Sequence, residues 1–98
     1  MGRIQGLFET GNLTGSQLVK DAPGYVFSIT LAWTGATAGN KVYLRDGTDA
    51  TSAIEVTFVL DAAAGMITKE WPQGKQFDTA IFYHEGDAAN VFTEMTCK

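Results

Sequence analysis

Bulky and small side chains alternate strictly along residues 25–33 of this sequence. The bulky ones stand at every second position: Tyr25, Phe27, Ile29, Leu31 and Trp33. Side chains of a β-strand point alternately to opposite faces of the sheet, so this period of two predicts a strand with one face on a core. We therefore expect all five bulky side chains to face inward.

Shorter β segments follow, separated by turns that contain glycine. They cover residues 41–45, 54–60, 66–71, 76–84 and 90–97, with a possible seventh strand at 17–20. We expect Pro72-Gln73-Gly74 to end the strand at 66–71. Because no segment shows a sustained helical period, the sequence predicts an all-β fold, a small antiparallel β-sandwich of six to seven strands. Jelly-roll and immunoglobulin-like connections both remain open.

Residues 1–22 differ from the rest of the chain. Glycine occurs at positions 2, 6, 11 and 15, and no apolar period is sustained. Glycine at this density raises the entropic cost of ordering the segment, which predicts an extended N-terminal arm before a sandwich domain at 23–98. The arm carries apolar side chains that mark it as an interaction segment, namely Ile4, Leu7, Phe8 and Leu13. It needs a surface to lie on, either its own domain or a neighbouring subunit.

Length and charge exclude several classes of function. The 98 residues suffice for one small domain, and seven Lys and Arg against eleven Asp and Glu give a net charge of −4. This charge argues against nucleic acid or an anionic membrane surface as the main partner. The apolar stretches are too short to span a membrane, and the chain does not start like a secretory signal, so we expect it to stay where it is made. A single cysteine cannot form an internal disulfide.

The residue types that carry catalysis are sparse. His84 is the single histidine, at a predicted strand end where we expect a structural role, and Cys97 is the penultimate residue, with no scaffold to hold it on both sides. One histidine and one cysteine cannot provide four zinc ligands. The run Asp46-Gly47-Thr48-Asp49 lacks the rest of a calcium loop and is typical of a turn. We therefore predict that the protein is not an enzyme and needs neither cofactor nor metal.

The predicted strands carry more large apolar side chains than one core face can take. Tyr43, Val59, Phe82 and Phe92 all lie opposite the face assigned to the core. Either both faces of these strands are covered, or the four residues form a surface between subunits. Of the two tryptophans, Trp33 continues the core register, whereas Trp71 precedes a proline at a turn and is the better candidate for exposure. An exposed tryptophan on a β-sandwich can stack on a sugar, which leaves a carbohydrate-binding adhesion module as an alternative function.

The segment PGYVFSITLAW and the following VYLRDGTDA resemble a family of small virion proteins of tailed phages. Residues 16–96 share that layout, and its specific part is Tyr43-Leu44-Arg45-Asp46-Gly47-Thr48. The family's last strand usually ends in alternating Val and Tyr, whereas residues 91–96 here are more polar.

The resemblance implies a viral structural protein of the capsid surface, made in the host cytoplasm. It implies a head decoration or cement protein that binds the major capsid protein and stabilises the lattice, as a homo-oligomer and specifically a trimer. The interaction residues expected on this basis are the four apolar residues of the arm together with Tyr43 and Trp71.

Overall fold

The computed structural model describes residues 7–13, 15–86 and 90–98, and these form two antiparallel sheets of four strands each. The strands are β1 (Phe8–Glu9), β2 (Gln17–Lys20), β3 (Gly24–Trp33), β4 (Asn40–Asp46), β5 (Ala53–Leu60), β6 (Gly65–Phe77), β7 (Ile81–His84) and β8 (Val91–Cys97). Sheet A has the order β1-β8-β3-β6 and sheet B the order β2-β7-β4-β5. No described segment is a helix long and apolar enough to cross a membrane. The all-β prediction is confirmed, with eight strands where six or seven were expected.

Nearly every connection passes from one sheet to the other. Only β4 and β5 are consecutive in the chain and also neighbours in one sheet. The first and last strands pair directly, with Phe8 opposite Cys97. Each sheet is therefore completed by strands that are distant in the sequence.

The core lies between the sheets and takes alternate side chains from both. It includes Val26, Ile29, Leu31 and Trp33 of β3, Val42 and Leu44 of β4, Phe58 and Leu60 of β5, and Met95 and Cys97 of β8. Its polar link is the hydroxyl of Tyr83 on sheet B, 2.6 Å from the Thr93 hydroxyl on sheet A. Because both residues are fully buried, this hydrogen bond satisfies groups that water cannot reach.

A β-bulge changes which residues of β3 face the core. Between Val26 and Ser28 the register shifts, so Phe27 is an extra residue opposite β8. Val26 is consequently buried, while Tyr25 is 39% exposed. The expectation that Tyr25 and Phe27 face the core with Ile29 is wrong, because a bulge reverses the alternation and is invisible to periodicity.

Pro72 does not end a strand. β6 runs through it, and because β6 is an edge strand, the missing N–H of a proline leaves no ladder hydrogen bond unmade. The predicted strand 76–84 is also wrong: the chain turns at residues 78–80. The Asp46 carboxylate fixes this turn by accepting hydrogen bonds from the backbone N–H groups of Asp78, Thr79 and Ala80, at 3.0, 2.8 and 3.3 Å.

The described part of the predicted arm packs on its own domain. β1 lies on the edge of sheet A beside β8, and β2 lies on the edge of sheet B beside β7. Between them Leu13 forms a bridge with Thr93 and is buried. The sequence left open whether the arm lies on its own domain or on a neighbouring subunit. Its described residues lie on their own domain.

Candidate interaction surface

The outer side of sheet B carries a group of large side chains that we call the aromatic face: Leu18, Tyr43, Arg45, Ile54, Thr57, Val59, Phe82 and His84. Its centre follows from strand register, since Tyr43 lies opposite His84 and Arg45 opposite Phe82. These residues alternate along their strands with the buried Val42, Leu44, Ile81 and Tyr83. The same pleat that buries one set therefore turns the other outward.

The rings at the centre of the aromatic face contact one another. Tyr43 and His84 stack, with ring centroids 5.5 Å apart and planes at 30°. Phe82 adjoins His84 at 6.4 Å between centroids. The guanidinium carbon of Arg45 lies 5.0 Å from the centre of the Tyr43 ring, a cation–π distance. The centre of the face is thus a preformed aromatic cluster.

Hydrogen bonds hold Arg45 in place within this cluster. Its Nε donates to Nδ1 of His84 at 3.0 Å, and its Nη1 donates to the carbonyl of Ser52 at 2.6 Å. The pKa of His84 is lowered, first because the side chain is partly buried and second because the Arg45 cation is adjacent. His84 is therefore neutral at pH 7, with Nδ1 as an acceptor, and Arg45 carries the positive charge.

Exposed apolar side chains lie at both lateral edges of the aromatic face. Ile54 and Val59 on β5 are each 48% exposed, and Leu18 on β2 is 39% exposed. In one row Leu18, Phe82, Arg45 and Ile54 cross all four strands. The solvent side of an antiparallel sheet is usually polar, so this row makes the aromatic face the candidate contact surface.

The outer side of sheet A has a shorter apolar row. Phe92 lies opposite Ala32, which lies opposite Met66. Phe92 is 50% exposed and Met66 69%. With Tyr43, Val59 and Phe82 on sheet B, all four side chains that the sequence assigned to the face opposite the core do point outward.

The structure distributes the remaining predicted interaction residues over several places. Leu7 and Phe8 are half-buried, with Phe8 packed against the core, and Leu13 belongs to the core itself. Ile4 lies outside the described residues. Trp71 is also half-buried against the core, with Nζ of Lys69 5.9 Å from its ring centre. Of the six, Tyr43 is the one on the aromatic face.

The residues considered for catalysis or metal binding have structural contacts. Cys97 is fully buried in β8 between β1 and β3, so the expectation that no scaffold holds it is wrong. Burial raises the pKa of its thiol to about 12, which keeps it protonated and unreactive. Asp46 holds the 78–80 turn, and Asp49 accepts hydrogen bonds from Thr51 and Ser52 within its own turn. Among the described residues no three His, Cys, Asp or Glu side chains are grouped as metal ligands.

Sequence reasoning missed Arg45, Leu18 and Ile54 as members of the surface. Arg45 was detectable, because it alternates with Leu44 in the strand that presents Tyr43 outward. Ile54 was not, because a register shift between Leu44 and Arg45 turns it from the predicted core side to the outside.

Comparison of the chain with family models, curated proteins and solved structures finds no match in any of the three.

Proposed function

We propose that this protein works by surface contact as a structural component of a tailed-phage virion, most specifically a head decoration or cement protein. The observation that carries the proposal is the aromatic face, where exposed Leu18 and Ile54 flank a fixed Tyr43–His84–Arg45 cluster. Aromatic residues and arginine are the types enriched at the centres of protein interfaces.

The strand order supports a finer description of the fold as a jelly roll. Eight strands in two sheets, ordered 1-8-3-6 and 2-7-4-5 with connections that cross between sheets, are the arrangement of two interlocked Greek keys. Viral capsid domains and lectins both use this architecture. The fold is thus compatible with the virion role, although it favours a function only by analogy.

The residues that carry the phage resemblance have definite tasks in this structure. Tyr43 and Arg45 build the aromatic face, and Asp46 fixes the turn after β6. In the proposed role, the face mediates contact with other copies or with the major capsid protein. A subunit that binds only the assembled lattice stabilises it by mass action, on the order of 3 kcal/mol per site at a free concentration about 100 times Kd.

The test is binding to heads assembled from the major capsid protein of the phage that encodes this chain. Purified protein is added to mature heads that lack it, and occupancy is measured by electron cryomicroscopy. We expect regular density on the outer surface, reduced at least tenfold by Ile54→Glu. Ala64→Glu adds the same charge in the exposed loop after β5 and should bind normally. Heads that remain bare with the wild-type protein would refute the head-decoration role.

Carbohydrate binding is the competing function, and the outward aromatic rings of sheet B are the observation in its favour. Sugar stacking needs an open ring face, however, and the facing sides of the Tyr43 and His84 rings are closed against each other. A glycan array distinguishes the two functions. Specific binding that Tyr43→Ala or Trp71→Ala abolishes would favour the adhesion module, and a blank array with occupied heads would favour the decoration protein.

A further inference from the structure

The two outer sides of the sandwich carry opposite charge. On sheet A, Glu9 and Glu70 lie in one outward row with Thr96 and Ser28 between them, and Glu94 lies in the next row. All three glutamates are exposed. The two lysines of β6 do not offset them: Lys69 lies opposite the buried Ile29, and Lys75 pairs with Glu55 of β5 at 3.2 Å. Lys98, after β8, is exposed and pairs with the outward Tyr25, so the described outward positions of sheet A carry three glutamates against one lysine.

The aromatic face of sheet B has the complementary character. Its central charge is the Arg45 guanidinium, whose partners in the structure are neutral: a histidine nitrogen, a backbone carbonyl and a tyrosine ring. Lys41, exposed on β4 opposite Val59, adds a second cation to the same outer side. None of the outward side chains that define this face is a carboxylate. The Arg45 cation is therefore partly desolvated and held in one geometry before an acidic surface binds to the face.

Apolar side chains are spaced alike on the two sides. On sheet A four residues along the strand separate the row of Glu70 from the row of Met66 and Phe92. On sheet B four residues along β4 separate the row of Arg45 from the row of Val59. Both spacings are about 13 Å at the rise of a β-strand. The two rows are therefore spaced alike along the strands, and on sheet B the row of Val59 also contains the exposed Lys41.

We infer that copies of this chain associate head to tail, with the acidic outer side of sheet A of one copy on the aromatic face of sheet B of the next. The occupant of the aromatic face is then a second copy. Because the two contacting surfaces differ, the contact is heterologous and closes into a ring or continues as a filament.

The size of the molecule permits such a contact. The sandwich measures 39 by 32 by 19 Å, and the short dimension is that of two stacked sheets. Each broad side exceeds the roughly 800 Å² per partner that a stable interface buries. The inference rests on one part of the proposed function, namely that copies of this chain bind one another. It does not require binding to the capsid.

The experiment is sedimentation velocity on the purified full chain, without heads. We expect the wild-type protein to sediment faster than a monomer. When NaCl rises from about 0.1 M to about 1 M, the Debye length falls from roughly 10 to roughly 3 Å and the apparent Kd should rise at least tenfold. A wild-type protein that is monomeric at all concentrations in low salt would overturn the inference.

Two variants test which surfaces meet. Glu94→Lys with Glu70→Lys reverses the charge of sheet A, and Ile54→Glu places a carboxylate beside Arg45 on sheet B. Each variant alone should be monomeric, whereas a mixture of the two should associate, because it restores contact between an acidic side and an aromatic face. If either variant assembles alone as the wild type does, or if the mixture stays monomeric, the head-to-tail contact is wrong.

Controls keep these outcomes interpretable. Circular dichroism checks that each variant is folded, and Thr57→Glu on the same face replaces Ile54→Glu if that variant is not. Ala64→Glu should assemble as the wild type does. Sedimentation and head occupancy are separate readouts, so a chain that self-associates but leaves heads bare would refute the head-decoration role alone. A chain that decorates heads as a monomer would refute the contact between copies alone.

Discussion

At the scale of single residues, a few polar groups join parts of the chain that are distant in sequence. Tyr83 and Thr93 link the two sheets through the core. The Tyr83 hydroxyl donates its one proton to Oε2 of Glu85 at 3.2 Å, so the Thr93 hydroxyl donates to the Tyr83 oxygen. Burial, helped by the nearby Glu85 charge and only partly opposed by the Thr93 hydrogen bond, raises the pKa of Tyr83. Tyr83 is therefore neutral at all pH values near neutrality and acts as a structural hydroxyl.

Replacing Tyr83 by Phe should lower the free energy of unfolding by about 1–3 kcal/mol, because the buried Thr93 hydroxyl loses its partner. Urea denaturation at pH 7 measures the difference. Tyr25→Phe is the matched control, since that ring is on the surface, and it should change stability by less than about 0.5 kcal/mol. Equal losses in both variants would contradict a role for the buried hydrogen bond.

Asp46→Ala should cost about 1 kcal/mol at pH 7, because the N–H groups of the 78–80 turn lose their acceptor. Desolvation acts to raise the pKa of Asp46, but the three backbone hydrogen bonds outweigh it, and the pKa lies below the ordinary 3.8. A lowered pKa means that the stabilisation is complete above pH 3.8 and is lost as the pH falls through the lower, folded-state value.

The measurement for Asp46 is unfolding of wild type and variant between pH 2 and 7. Their difference should shrink only at the acid end of this range. Asp61→Ala, in the exposed loop after β5, is the control and should behave as the wild type. A difference between wild type and Asp46→Ala that does not change with pH would show that the carboxylate charge is not involved.

At the scale of elements, the two N-terminal strands are the weakly held parts of the sheets. β1 has two residues and β2 four, and both are edge strands. An open groove of about 250 Å³ lies against them, lined in part by Phe8, Leu13 and Leu18. Between the strands, Leu13 exchanges two backbone hydrogen bonds with Thr93, at 2.7 and 3.2 Å, and inserts its side chain into the core. Leu13 is thus the buried anchor among residues 8–13 and 15–20.

Leu13→Ala should therefore release this segment without unfolding the sandwich. Hydrogen exchange by NMR should show at least tenfold faster exchange at the amides of Thr10, Leu13 and Gln17. The amides between β3 and β6 should keep their protection. Leu18→Ala, at an exposed position of the same segment, should leave all of them protected. If the β3 amides lose protection as much as Leu13 does, the segment and the sandwich unfold as one unit.

How far the elements could be predicted depended on the regularity of the strand. β4 was correctly predicted to bury Val42 and Leu44 and to expose Tyr43, because nothing interrupts its alternation there. β3 and β6 were predicted less well, since bulges at Phe27 and around Pro72–Gly74 shift their register. Gly74 adopts φ +87° there, and a Cβ would lie 3.1 Å from Tyr25 and 3.2 Å from Phe27. Such a site depends on the neighbouring strand, which local sequence does not specify.

At the scale of the whole molecule, pairing is dominated by contacts between distant parts of the chain. β8, the last strand, lies between β1, the first, and β3. A fold of this topology must close long loops before its sheets are complete, which slows folding. Refolding should therefore take milliseconds to seconds, as measured by stopped-flow fluorescence of Trp33 and Trp71. Refolding within microseconds would contradict the topology.

Deleting residues 91–98 tests the same topology at equilibrium. The deletion removes the strand between β1 and β3 and exposes Leu31 and Ile29, so the truncated chain should show no cooperative unfolding transition. Deleting Lys98 alone removes only the two hydrogen bonds that it shares with Tyr25 and should leave a folded protein of reduced stability. A cooperative transition in the shorter chain would show that the core does not need β8.

The alternation of bulky and small side chains was enough to predict an all-β protein with two-faced strands, because the period of a strand is a local property of the backbone. It also placed Tyr43, Val59, Phe82 and Phe92 on the face opposite the core and left open what covers that face. The tertiary structure decided that Tyr43, His84 and Arg45 form one cluster, that Asp46 holds a turn 32 residues away, and that three glutamates share one side. These arrangements depend on which strands are neighbours and in what register, and strand pairing is determined by the packing of the whole chain.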